Sequence, residues 1–313
     1  MLYLMFVLGL ILLAVGGDVM VSSSVEVAKK LKVSTLLIGI VLIGFGTSTP
    51  ELVASIIATF QEVPATGIAV GNIVGSNIAN ILLILGVTSL IYPIKIDKKS
   101  FLKRDMWFLI FATAMVLLMA LLKKVGFVIG GVMILSLLFY VYYSYITEKK
   151  FKKEAKEIAN EIDVKHTKSL PVSLIMAVIG IAMTIYGANL LVNSAIVIAK
   201  NFGISESIIG LTIVAVGTSL PELASSITAS LKKHNDLAFG NIVGSNIYNV
   251  LFILGVVALL QPIMFPVDMV KDVYILIATT TLLIANAFMG GISRKFAVIY
   301  LIAYAFYVAH LIG

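Results

Sequence analysis

Apolar runs of about twenty residues or more, separated by short polar clusters, divide this chain into ten segments. They lie near 2–28, 34–60, 66–92, 103–122, 125–147, 171–199, 204–230, 236–261, 270–289 and 293–312. A helix of roughly twenty apolar residues crosses a ~30 Å hydrocarbon core. In lipid the backbone must satisfy its own hydrogen bonds, which leaves helices or a closed barrel. The pattern predicts an all-α polytopic membrane protein, with several helices long enough to need a tilt or a break. Residues 1–15 lack a basic start, and Gly16-Gly17-Asp18 is followed by more apolar sequence. They read as the first span rather than a cleaved leader.

The loops carry a charge bias. With the N-terminus outside, 19 of the 23 Lys and Arg fall on the cytoplasmic side, including Arg104, Lys232 and seven lysines between 149 and 168. Positive residues gather on the cytoplasmic side of membrane proteins, so this threading is the expected one. Phe151, Ala155, Ile158 and Ile162 of the long polar stretch share one helical face. That stretch is either a surface helix or a solvated linker.

The polar pattern repeats. Residues 37–55, "LIGIVLIGFGTSTPELVAS", match 208–226, "IIGLTIVAVGTSLPELASS", at nine of nineteen positions. Residues 68–87, "IAVGNIVGSNIANILLILGV", match 237–256, "LAFGNIVGSNIYNVLFILGV", at fifteen of twenty. Each copy holds five spans, and five is odd, so the second copy enters the membrane from the opposite side. The expected plan is two inverted five-helix repeats, 1–147 and 170–313, joined by a cytoplasmic loop at 148–169. Inverted repeats are common in secondary transporters, with the substrate site between them near the midplane.

Composition narrows the chemistry. The chain is 60% hydrophobic and 12% charged, with mean hydropathy +1.08 and no cysteine. Thiol catalysis, disulfides and thiolate metal sites are excluded. The net charge of +7 reflects cytoplasmic loops rather than a nucleic-acid partner. No paired aspartates or Ser–His pair points to hydrolysis, so no enzyme activity and no cofactor are expected.

The informative residues lie inside the apolar runs. Between Val33 and Ile94 there is no Lys or Arg, and the only acids are Glu51 and Glu62. Thr47, Ser48 and Glu51 share a helical face. Pro50 clashes with the carbonyl of Gly46 and pushes Thr49 away from helical geometry. A break here is expected to free backbone carbonyls. Thr218, Ser219, Pro221 and Glu222 repeat the arrangement. Hydroxyls, carbonyls and a carboxylate form a set of hard oxygens suited to Ca²⁺ or an alkali cation. A membrane-buried glutamate without a basic partner is either protonated or neutralised by a cation. Together the two glutamates carry −2, which one Ca²⁺, two Na⁺ or two protons would balance.

Ser76 and Asn80, with Asn72, share a face of the third span, as do Ser245, Asn249 and Asn241 of the eighth. Asn72 and Asn77 taken singly are as well explained by packing. Gly71 and Gly75, and Gly240 and Gly244, allow close helix approach. Asp18 lies mid-span, with Asn189 as its counterpart. It either caps a helix break after Gly16-Gly17 or lines an access path.

The doubled "GTSTPE"/"GTSLPE" and "GNIVGSNIAN"/"GNIVGSNIYN" resemble the two signature repeats of the calcium/cation antiporter superfamily, in its prokaryotic sodium/calcium exchanger branch. The resemblance covers essentially the whole chain and implies a monomeric, multi-pass cell-membrane antiporter exchanging Na⁺ for Ca²⁺ by alternating access. It implies Glu51 and Glu222 as shared ligands. Thr47, Ser48, Thr218, Ser219, Ser76 and Ser245 would add oxygens for Na⁺. The carbonyls of Gly44 and Ala215 would contribute, and Asn80 and Asn249 would lie at the centre. The first and sixth helices would slide to switch access. Several relatives carry Asp at the position of Asn249, so coupling to K⁺ is not expected here. A Ca²⁺/H⁺ exchanger using the same glutamates is the alternative; the hydroxyl-rich lining disfavours it. A cation channel is disfavoured by the internal repeat.

Overall fold

The computed structural model describes residues 2–60, 66–98, 101–155, 169–202 and 217–312. The helices are α1 (Leu2–Leu31), α2 (Thr35–Thr59), α3 (Thr66–Ile91), α4 (Phe101–Leu122), α5 (Phe127–Ala155), α6 (Leu170–Asn201), α7 (Leu220–Leu231), α8 (Asn235–Leu260), α9 (Val270–Met289) and α10 (Arg294–Ile312). Among the described residues, nine of these are long and apolar enough to cross a membrane. The expected seventh span lies partly outside the described residues; α7 is its second half. The chain is a multi-pass, all-helical membrane protein. α5 runs on to Ala155, eight residues into the stretch expected to be a loop.

α3 and α8 are central. In their apolar windows 72% and 83% of residues are buried, against 17% for α10. The "GNIVGSNI" string of α8 is buried throughout, and that of α3 is buried except at Gly71, Asn72 and Gly75. In a lipid solvent apolar contact with a neighbour gains little over contact with lipid, so close packing and polar bonds decide which helices associate. α8 shows this. A Cβ at Gly240 would collide with the carbonyl of Leu36 on α2, and one at Gly244 would lie 2.7 Å from Cα of Ile40. Among the described residues, a Cβ at Gly71 would meet the end of the Met269 side chain and one at Gly75 would meet nothing within 4 Å.

Two short antiparallel pairs lock the ends. β1 (Ile94–Lys95) pairs with β4 (Gly291–Ile292), and β2 (Lys124–Val125) with β3 (Ile263–Met264). Each joins the two halves of the chain. Arg294 adds a cap, donating from Nε to the carbonyl of Leu90 and from Nη2 to that of Ile91 at the end of α3.

Three expectations change. Gly16 and Gly17 do not break α1, which is continuous. They serve close packing, with a Cβ at Gly16 only 2.8 Å from N of Thr184 on α6 and one at Gly17 2.9 Å from Oγ1 of Thr228 on α7. Asp18 therefore caps nothing. Its carboxylate is exposed and pairs with Nζ of Lys232 at 2.6 Å. Arg104 is not a loop cation. It is buried with Asp105, to which it donates from Nε at 2.6 Å and from Nη2 at 3.0 Å. The hydroxyl of Tyr140 donates to the same carboxylate at 3.0 Å. A bidentate partner neutralises the guanidinium, which makes its burial tolerable.

Candidate cation site

α2 is interrupted where the sequence suggests, though one residue earlier. A wide, π-type turn spans Gly39–Gly44, and Ser48 leaves helical geometry with φ −78° and ψ 6°. Thr49 is helical after all. The new helix starts there, and Pro50 occupies its first turn, where the missing N–H has no partner to lose. Ser219 repeats the distortion ahead of Pro221, with φ −88° and ψ 5°. Wide turns also interrupt α3 at Asn80–Ile84 and α8 at Asn249–Leu254. Such turns are concentrated at functional sites because they disturb the regular backbone ladder. The turns of α2, α3 and α8 fall on the repeated motifs, and another, Phe101–Asp105, opens α4 outside them.

Glu51 and Glu222 are each only 1% exposed. Among the described residues neither pairs with Lys or Arg, and Oε2 of each has no hydrogen-bond partner. The charge of Glu222 acts directly on Glu51, so the halves bring the two acids together. Oε1 of Glu222 accepts from Ser48 at 3.4 Å and from Ser245 at 3.5 Å. These contacts are long for O–H···O bonds, so the hydroxyls are held weakly and can turn towards a cation. Ser245 also reaches the carbonyl of Gly44 at 3.3 Å. Thr47 donates towards the carbonyl of Ile43 at 3.0 Å and lies 3.3 Å from Oδ1 of Asn241. Among the described residues, Oγ of Ser219 is buried without a partner, and the hydroxyl of Thr218 lies beside the carboxylate of Glu51.

Asparagines hold the middle. Nδ2 of Asn77 donates to the carbonyl of Asn246, and Nδ2 of Asn246 to that of Asn77. This commits the Oδ1 atoms of both to accepting. Nδ2 of Asn80 donates to Oδ1 of Asn246 at 2.9 Å, and Nδ2 of Asn249 to Oδ1 of Asn77 at 2.9 Å. The amide orientation of Asn80 and Asn249 follows by elimination. Their Oδ1 atoms are left buried without a partner. Asn77 and Asn246 thus orient the two central amides, a role spacing did not reveal. The available signal was that both recur in the repeat. Asn241 is locked likewise, donating to Ser225 at 2.8 Å and Ser226 at 3.1 Å.

Of the expected site residues, Glu222, Thr47, Ser48, Ser245 and Gly44 take part in hydrogen bonds across the halves, and Glu51 feels the charge of Glu222. Among the described residues, Ser219, Asn80 and Asn249 supply buried oxygens without partners, and Thr218 supplies a hydroxyl beside Glu51. Ser76 behaves differently: it makes no bond to Glu51 matching that of Ser245 to Glu222, and it lines a separate cavity. Ala215 lies outside the described residues. The donors are all oxygen, and the described residues hold no cluster of three or more His, Cys, Asp or Glu. That chemistry suits a hard cation held by two carboxylates and neutral oxygens.

The model of the sodium/calcium exchanger protein family matches residues 1–146 and 172–313. The chain belongs to the sodium/calcium exchanger family. It is 36% identical over 294 residues to a putative antiporter, CaxA, of Alkalimonas amylolytica, covering 92% of this chain and 90% of that one. It is 32% identical to the sodium/calcium exchanger MaX1 of Methanosarcina acetivorans over 295 residues, 83% of each chain. Its fold superposes on the sodium-calcium exchanger NCX_Mj, solved after soaking with Na⁺ and Sr²⁺, with TM-score 0.82, 31% identity and 99% coverage of both chains. This exchanger is therefore a membrane cation antiporter of that family.

Proposed function

We propose that this exchanger moves Na⁺ and Ca²⁺ in opposite directions by alternating access, with Glu51 and Glu222 as ligands shared by both ions. The reading has the N-terminus outside, 148–169 in the cytoplasm, and the halves 1–147 and 170–313 inverted about the site. Thr47, Ser48, Thr218, Ser219, Ser76 and Ser245, the amide oxygens of Asn80 and Asn249, and the carbonyls of Gly44 and Ala215 complete the ligand set.

The observation that carries the reading is the pair of buried glutamates, which among the described residues have no basic partner and each keep one orphaned oxygen. Two bare carboxylates in a low-dielectric interior are too costly to carry across the membrane. One Ca²⁺ or two Na⁺ neutralise them. Either load permits the change of access, and an empty site resists it. The same two charges cannot satisfy both loads at once, so one ion displaces the other. That is the coupling an antiporter needs, since a ligand shifts a conformational equilibrium only through its preference for one state.

The test is uptake of radiolabelled Ca²⁺ into Na⁺-loaded proteoliposomes with a protonophore present. Uptake should depend on internal Na⁺ and be lost in Glu51→Gln and in Glu222→Gln. Wild-type-like uptake by either variant would remove the glutamates from the site. Uptake that survives replacement of Na⁺ by an inert cation but follows an imposed pH gradient would establish proton exchange instead.

A further inference from the structure

Two acids occupy matching places in the repeated chain. Asp105 and Asp272 are 167 residues apart, as are Tyr140 and Tyr307, and Arg104 and Lys271. In the first copy the acid is filled by a cation belonging to the protein. Arg104 grips both oxygens of Asp105, Tyr140 bonds one of them, and the cluster is buried. In the second copy the acid and the tyrosine remain, with Tyr307 beside Asp272. Lys271, however, is exposed and, among the described residues, forms no ion pair with Asp272. Oδ1 of Asp272 is buried and has no hydrogen-bond partner.

Asp272 opens onto a cavity of about 170 Å³ between α3, α9 and α10. Its wall includes Asp272, Tyr304, Tyr307, Asn72 and Ser76. Ser76 is itself buried and lies one helical turn from Asn80 on α3. The cavity therefore runs from the N-terminal end of α9 to the edge of the central site. A carboxylate in a cleft with low-dielectric walls concentrates cations there. A carboxylate, a phenol, an amide and a hydroxyl are the oxygen types that replace part of the water shell of a hard cation.

We propose that Asp272, with Tyr307, is an outer cation station where Na⁺ or Ca²⁺ pauses between solvent and Ser76. The matching pocket around Asp105 is permanently occupied by Arg104, so the two faces of the exchanger differ in how ions approach. This inference rests on the cation-exchange reading.

The experiment uses the full-length protein in right-side-out and inside-out vesicles, with half-saturating Ca²⁺ measured separately at each face. Asp272→Asn should raise that constant by about threefold to tenfold at the face bearing the start of α9 and leave the opposite face at its wild-type value. Asp272→Glu should bring it back towards wild type. An unchanged constant at that face overturns the station, and so does an equal rise at both faces, which would mark a general distortion. Wild-type protein without Ca²⁺ uptake at either face would instead sink the exchange reading.

Discussion

Asn77 and Asn246 donate to each other's backbone carbonyls, at 3.1 Å from Asn77 and 3.3 Å from Asn246. They lie 169 residues apart on α3 and α8, and they meet where each helix is about to widen at Asn80 or Asn249. The pair staples the two central helices. It also takes up the amide hydrogens of Asn80 and Asn249, so that the oxygens of those residues remain free for an ion.

Replacing Asn77 tests both roles. Asn77→Ala removes one bond to the carbonyl of Asn246 and leaves Nδ2 of Asn249 buried without its partner, at about 1–3 kcal/mol for the unsatisfied group. The thermal midpoint of the protein in detergent should fall. Half-saturating Ca²⁺ should rise even in variant molecules that remain folded, because the amide of Asn249 is then free to turn. Asn246→Ala should do the same through Asn80. A drop in stability with unchanged Ca²⁺ affinity would leave the pair as a staple only.

Gly180 should be intolerant of even one methyl group. A Cβ there would lie 2.5 Å from N and 2.7 Å from Cα of Met20. These are backbone atoms of α1, so no rotamer change relieves the clash. Gly180→Ala should cost about 1–3 kcal/mol, the usual range for overpacking, and should slow exchange if α1 and α6 must travel together. Gly131→Ala is the control, since among the described residues nothing lies within 4 Å of a Cβ at that position. Its melting temperature and Ca²⁺ uptake should match wild type.

His234, in the turn between α7 and α8, makes stability depend on pH. Burial lowers its pKa from the ordinary 6.5, and the charges of Lys29 and Lys232 lower it further. The unfolded chain therefore takes up a proton that the folded protein resists. The contribution of this residue is fully present above about pH 6.5 and is lost as pH falls through that value towards the lower folded pKa. Melting curves in detergent from about pH 7.5 down to pH 5 should show wild type losing more stability than His234→Gln. Parallel curves would contradict this assignment.

Much of the molecule is legible in its sequence. Lipid demands long apolar helices, so the spans show as runs and their ends as charged clusters. Glu51 and Glu222 stand out because an acid among apolar residues has no cheap structural explanation. The duplicated strings show that the two halves carry the same residue types at matching positions. Arg104 and Asp18 were misread for a common reason. Whether a charge sits in a loop or is buried depends on its partner, and Lys232 reaches Asp18 from 214 residues away.

The sequence by itself determined the helical class, the repetition and the types of oxygen near the centre, because these follow from local composition and the cost of polar groups in lipid. Tertiary structure decided which oxygens remain available. That depends on bonds between residues far apart, such as Thr47 with Asn241 and Asn80 with Asn246, which form only when the halves interlock. It also decided that two matching halves are unequal. Ser245 turns to Glu222 while Ser76 faces a cavity, and Arg104 fills one acidic pocket while Asp272 keeps the other open. Near-identical strings reach different ends because each side chain responds to its neighbours, and the two halves have different neighbours.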